Sequence, residues 1–309
     1  MRGARALFSS ALLALAGCAP APPKLPTLGG AAPPASAPAG RTYLTGDGLL
    51  ALSSPTPIRI SDCEPALSCR DEDGDGLTDA WEELALDRLR PLLRLHPRDG
   101  LLGDPRAVVA GVARVSPASL TPLAVNLYFM IGYSRDYGSS CFGITHHHGD
   151  SERVALRVLS RGPTEVVVDA AYTAAHEGAP GDRSRRFLAE ELPRALRYAE
   201  DPETREPRWV IYPSRDKHAS YANPGLCERA SRLPCLEEDC AGAGGAAYEL
   251  LPRFANAGEE RAPALTELSA LGFPGDDAWA ERRFCGGVRE GHCASPVRYK
   301  LLRDPFAGP

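Results

Sequence analysis

Residues 145–156 read Thr-His-His-His-Gly-Asp-Ser-Glu-Arg-Val-Ala-Leu, three imidazoles and two carboxylates at the head of a strand-like run. Successive side chains of an extended strand point to opposite faces, so His148, Asp150 and Glu152 share one face. A bulge at Gly149 would shift that phase and bring His147 beside Asp150 and Glu152 instead. Either arrangement offers one nitrogen and two oxygens, a donor set that suits Zn2+, Mn2+ or Mg2+. The competing reading is a polar strand edge, its charges answered by Arg153 or Arg157. Alternation puts those two on the face away from Glu152. Burying Asp150 and Glu152 beside Val154, Leu156 and Val158 without a cation would be costly for each charge.

A second constellation is Asp71-Glu72-Asp73-Gly74-Asp75-Gly76-Leu77-Thr78-Asp79-Ala80-Trp81-Glu82. Asp71, Asp73, Asp75, Asp79 and Glu82 fall at the carboxylate positions of an EF-hand calcium loop. Gly76 stands at the sharp turn, Leu77 at the position that gives a backbone carbonyl, and Glu82 at the bidentate position. Clustered carboxylates repel one another, and Ca2+ answers them with its demand for hard oxygens. The alternative is an acidic, solvated turn. The wording also resembles the loops of thrombospondin type 3 repeats, in which the ion is structural. Pro55, Pro57 and Pro65 crowd the region before the loop, which argues against a paired, sensor-type EF-hand.

These groups need elements to position them. Residues 107–115, 122–133, 152–159, 164–174, 207–213 and 296–302 are strand-like, several alternating apolar and polar residues. From Thr78 to Leu95, apolar residues recur near helical spacing, with Pro91 set to end or kink the helix. Residues 184–200, interrupted by Pro193, and 263–271 also read as helical. The expected fold is mostly β: an antiparallel sandwich with peripheral helices and a disulfide-stapled insertion near 222–262. The expected organisation is a leader peptide over 1–17, an Ala/Pro-rich tether over 18–40, a segment over 41–87 carrying the calcium loop, and the sandwich over 88–309.

The leader has Arg2 and Arg5, then an apolar run from Ala6 to Ala16 that is too short to remain as a membrane span. It ends in Leu15-Ala16-Gly17-Cys18, which resembles the lipobox of bacterial lipoproteins. The resemblance implies cleavage before Cys18 and a membrane anchor of acyl chains such as palmitate on that residue. It places the protein in the bacterial cell envelope, with the outer membrane as the expected address. Two or three chains would make release slow. Eight further cysteines remain, an even set that reads as disulfides in an exported chain. Cys63–Cys69 and Cys285–Cys293 are natural local loops. Cys141 would pair with one of Cys227, Cys235 and Cys240, leaving the other two together. Loss of Arg2 and Arg5 takes the formal charge from −5 to −7, and no basic stripe is present, so nucleic acid is not an expected partner.

The His-rich strand looks like the His-x-Gly-Asp-Trp-Glu element of the family named after vacuolar protein sorting-associated protein 62, with Ser151 standing where that family has Trp. Three more segments are similar to that family in the same order, over about residues 88–225. They are Leu92-Leu93-Arg94-Leu95-His96-Pro97-Arg98-Asp99, Ala171-Tyr172-Thr173-Ala174-Ala175-His176, and Val210-Ile211-Tyr212-Pro213-Ser214 continuing to Lys217-His218-Ala219-Ser220-Tyr221. The strand also resembles the His-x-x-Asp-x-Glu cation site of necrosis- and ethylene-inducing proteins, onto which His147, Asp150 and Glu152 map. That family's upstream Asp corresponds to Asp136, at a different spacing.

Three functions follow as expectations. The first is a calcium-binding surface lipoprotein whose second divalent ion helps to recognise an extracytoplasmic ligand: a lipid headgroup, glycan or protein. The second is a metal-dependent hydrolase, with the ion activating water and His176 or His218 moving protons. The third is a structural surface protein. No nucleophile elbow, H-E-x-x-H or phosphate loop is present, so no reaction type is written in the sequence.

Overall fold

A computed structural model describes residues 27–28, 40–64, 69–139, 146–178, 181–230, 237–242, 246–256 and 300–307. Cys18, Cys141, Cys235, Cys285, Cys293 and the helix expected over 263–271 lie outside them, and the tether and the 222–262 insertion are described only in part.

In chain order the strands are β1 (Thr27–Leu28), β2 (Arg41–Leu44), β3 (Leu50–Ser53), β4 (Leu92–Leu95), β5 (Val109–Leu120), β6 (Leu123–Asp136) and β7 (His147–Ser160). They continue as β8 (Glu165–Thr173), β9 (Arg185–Leu188), β10 (Arg197–Glu200), β11 (Pro207–Pro213), β12 (Ser220–Tyr221), β13 (Tyr248–Leu250) and β14 (Phe254–Asn256). The α-helices are α1 (Asp79–Leu89), α2 (Leu192–Ala195) and α3 (Pro224–Glu228). One sheet runs β1-β5-β6-β7-β8-β3-β2, with β14 also on β5 and β9 on β8; the other runs β10-β11-β4-β13, with β12 on β11. The fold is the expected mostly β architecture of two antiparallel-rich sheets.

The long strands β5 to β8 form because alternation gives each an apolar face. Val125, Leu127, Phe129, Ile131 and Tyr133 of β6 meet Val154, Leu156 and Val158 of β7 in the core, together with Leu93, Trp209 and Ile211 of the smaller sheet. Phe129 and Trp209 touch across the gap, ring centroids 6.3 Å apart. Each such large side chain contributes roughly 1.5–3 kcal/mol by leaving water. The other face of the large sheet is apolar too, and residues 300–307 cover part of it. Leu301 and Phe306 pack there with Tyr128, Met130 and Tyr172. Buried Arg153 fastens the segment, donating to the carbonyls of Lys300 at 2.7 Å and Arg303 at 2.8 Å.

Three expectations about elements are corrected. The helix stops at Leu89, and Leu92–Leu95 is a strand paired in parallel with β11, because Pro91 breaks the helix and β11 offers ladder partners. Residues 184–200 are not a helix: β9 and β10 flank the single turn α2, with β9 taking up the edge of β8. In the strand expected over 296–302, residues 300–302 are helical and the remainder lies outside the described residues.

Candidate functional site

The hairpin of β6 and β7 sets the site. Tyr133 stands opposite Asp150, Ile131 opposite Glu152, Arg135 opposite His148 and Asp136 opposite His147. The register is the same on both sides of Gly149, so the bulge considered there is not present. Gly149 instead takes a left-handed φ of 68° between the paired residues His148 and Asp150, a conformation glycine adopts without steric penalty. The side chains of His147 and His148 lie outside the description. Asp136 is buried, its carboxylate accepting the Gly138 N–H.

Glu152 shares the inward face with Val154 and Leu156 and is 5 % exposed. Burial, with Asp150 adding to it and Lys300 and His176 opposing, lifts its carboxyl to about 8. Its Oε2 has no hydrogen-bond partner among the described residues. Arg153 and Arg157 do not answer it: Arg153 pairs with Glu177 at 2.5 Å and Arg157 with Asp169 at 2.7 Å. Lys300, the cation that does act on Glu152, donates to the Ser151 carbonyl and hydroxyl and was not foreseen from the sequence.

His218 enters from the turn between β11 and β12. Its N–H donates to the Ser214 carbonyl at 2.8 Å, and its own φ is 59°. A non-glycine residue in that region costs about 1–2 kcal/mol, and the side chain's contacts hold it there. Nε2 lies 3.4 Å from Asp99 Oδ1 and Nδ1 lies 3.7 Å from Asp150 Oδ2, with the ring fully buried. Burial alone would lower its pKa, but Asp99 and Asp150 outweigh it and raise it to about 10, so the ring is an imidazolium at neutral pH. Asp99 is burdened by burial, yet the charge of His218 and the N–H groups of Leu101 and Asp216 hold it below the usual carboxylate range.

His176 follows β8, also with positive φ, at 58°. Its Nε2 is 2.9 Å from Glu238 Oε1, and this hydrogen bond, offset in part by burial, raises its pKa. Its charge and that of Glu152 act on each other. Beside it opens a cleft of about 260 Å³, lined by Gly138, the 215–217 turn and the 237–239 triplet. Asp99, Tyr133, Lys217 and Glu238 were not singled out from the sequence. The only signal was that Asp99 and Lys217 fall inside segments quoted for the family resemblance. All four of those segments contribute to this one region. His96 sits at a turn, its Nδ1 accepting the Arg98 N–H at 3.1 Å and its Nε2 3.6 Å from Asp239 at the cleft.

In the acidic loop, ligand oxygens of Asp71, Asp73 and Asp75 lie within 4.8 Å of one another, the sole such group of three among the described residues. Asp150, Glu152, His176 and His218 are neighbours but do not close to that limit. Gly74 and Gly76 turn the loop with φ of 74° and 94°. Asp71 gathers the N–H groups of Gly74, Asp75 and Gly76. Burial, aided by Asp73 and Asp71 against the Leu77 N–H, lifts Asp75 to about 6. Asp79 and Glu82 stand off this trio: Asp79 accepts from Glu72 N–H at 2.9 Å, and Glu82 lies 3.3 Å from the Asn256 amide, 1 % exposed. The Cys63–Cys69 bridge closes just ahead of the loop, and Cys227–Cys240 takes one of the pairings left open by the sequence.

The fold and site define a β-sandwich with a carboxylate–imidazole cluster set between its two sheets at one end. No protein-family model, curated protein or solved structure matches the chain.

Proposed function

We propose that this chain is a lipid-anchored protein of the bacterial cell envelope, held at Cys18, whose sandwich domain binds an extracytoplasmic ligand with the help of a divalent cation. The cation is held by Asp150 and Glu152 with an imidazole of the 147–148 pair, and Ca2+ in the 71–82 loop braces the fold. The observation that carries this reading is buried Glu152: its Oε2 is unpartnered among the described residues, the charges of Lys300, Asp150 and His176 act on it, and Asp150 in turn meets His218. A carboxyl held so far from water stays protonated at neutral pH unless a cation stabilises its charged form, so the site is built to gain a cation as it loses a proton. The ligand is a lipid headgroup, glycan or protein, reached through the cleft beside Lys217 and Glu238.

A hydrolase is the second reading, and one observation narrows it. His218 is fully buried between two carboxylates, which disfavours it as the proton shuttle. His176, its side chain 33 % exposed beside the cleft, is the remaining candidate for a proton shuttle.

Metal analysis of the purified protein tests the site. The double variant Asp150→Asn, Glu152→Gln should lose a transition metal or Mg2+ and keep Ca2+. Unchanged metal content together with unchanged stability would remove both readings.

A further inference from the structure

Glu238 lies in none of the motifs read from the sequence, yet several site elements meet on it. Its side chain is 4 % exposed. Oε1 is 2.9 Å from His176 Nε2 and accepts from Lys217 Nζ at 3.0 Å. Lys217 donates also to the Glu237 carbonyl, at 2.8 Å. The next residue, Asp239, holds the same turn: its carboxylate is 2.9 Å from Arg215 Nη1, and its carbonyl accepts the Arg215 N–H at 2.6 Å. Cys240 then bridges to Cys227 in α3. The acidic triplet is thus pinned at the cleft by a covalent bond, by the turn that carries His218, and by His176.

We propose that Glu238 is a positioning residue of the candidate site, fixing the His176 ring at the cleft beside Glu152. This rests on the cation-site reading for its purpose, though not for its geometry. An imidazole bonded through Nε2 to a buried carboxylate has one orientation and, when neutral, one tautomer, which leaves Nδ1 as the nitrogen with a lone pair. His176 needs such an anchor. It follows the end of β8, its backbone is left-handed, and its side chain is one-third exposed. Lys217 completes the device by holding the carboxylate oxygen that faces the ring.

The test uses the full lipidated chain in detergent, with two readouts. Long-range proton–nitrogen spectra of the His176 ring, recorded above its pKa, report orientation and tautomer, and Mn2+ titration reports the site. Glu238→Ala should replace the single Nε2–H pattern by a mixture of tautomers and, with His176 Nδ1 as a further ligand beside Glu152, weaken Mn2+ about tenfold, the scale of losing an outer hydrogen bond to a ligand. Glu238→Gln should stay near wild type in both. It keeps Oε1 for the two donors and places its amide nitrogen where Oε2 has no partner among the described residues. If the alanine variant does not fold, Glu238→Asp serves in its place, keeping the charge and withdrawing the oxygen by one methylene. Unchanged His176 ring signals in these variants would overturn the proposal. So would a glutamine variant as impaired as the alanine one. A wild-type protein that takes up no Mn2+ removes the cation reading alone, and the ring spectra still decide the role of Glu238.

Discussion

The imidazole of His218 lies flat on the phenol of Tyr133, ring centroids 4.1 Å apart and planes 14° from parallel. Tyr133 stands opposite Asp150 on the neighbouring strand, so one pair in the ladder supplies both the plate under the ring and the carboxylate beside it. The stack explains how a charged histidine is held at full burial between two anions.

Removing that ring should be costly. His218→Leu leaves Asp99 buried with its main counter-charge gone, and urea denaturation should show a loss of about 3–5 kcal/mol. Tyr133→Phe keeps the plate and deletes a buried hydroxyl with no partner among the described residues, so it should change stability by less than about 1 kcal/mol. The reverse order of effects would mean that the hydroxyl, and not the ion pair, organises the site.

Strong acid should break a second buried pair. Asp201 is bonded to Arg208, itself 3 % exposed and tied to the carbonyls of Asp87 and Arg88. Burial would raise the Asp201 pKa, but the N–H groups of Thr204 and Glu203 and the Arg208 guanidinium lower it to about 2. A depressed folded-state value gives stability that is full above the unfolded value of 3.8 and disappears as pH falls toward about 2. Asp201→Asn should lower stability at neutral pH by about 1.5–3 kcal/mol and flatten the acid limb of the stability curve. An unaltered acid limb in the variant would assign it to other carboxylates.

The proposed Ca2+ in the 71–82 loop should stabilise the native state by mass action. Melting in Ca2+ and in chelator should differ by about 2.7 kcal/mol when free Ca2+ is a hundred times its Kd. Asp73→Asn is the cleaner variant, because Asp73 is exposed and belongs to the converging trio. Glu82→Gln should also reduce the difference, with an added effect from its contact with Asn256. A wild-type melting curve indifferent to both Ca2+ and a chelator strong enough to strip tight sites would exclude an ion here.

Anchoring is checked by detergent partitioning. Cys18→Ser should leave the chain uncleaved or move it to the aqueous phase, because Leu15–Cys18 resembles a lipobox and carries the proposed anchor. Equal partitioning of variant and wild type would exclude lipid attachment at Cys18.

Local pattern carried the strands built from β-branched and aromatic runs. Residues 207–213 read as a strand and are one, with the same bounds, because a β-branched and aromatic run has a single good conformation there. The pattern misled at 184–200. Phe187, Leu192 and Leu196 fall near helical spacing, but the free edge of β8 binds Arg185–Leu188 as a strand, and Pro193 confines the helix to one turn. Leu92–Leu95 was likewise decided by its partners, β11 on one side and β13 on the other.

The site divides along the same line. By itself the sequence determined that Asp150 and Glu152 share a face, that Arg153 and Arg157 turn away from it, and that Asp71, Asp73 and Asp75 converge, because strand alternation and a twelve-residue loop are short-range geometry. Only the tertiary structure brought Asp99 to His218 across 119 positions and Glu238 to His176 across 62. Those meetings are set by how two sheets bury one core and where a disulfide closes a loop, and neither leaves a period in the chain.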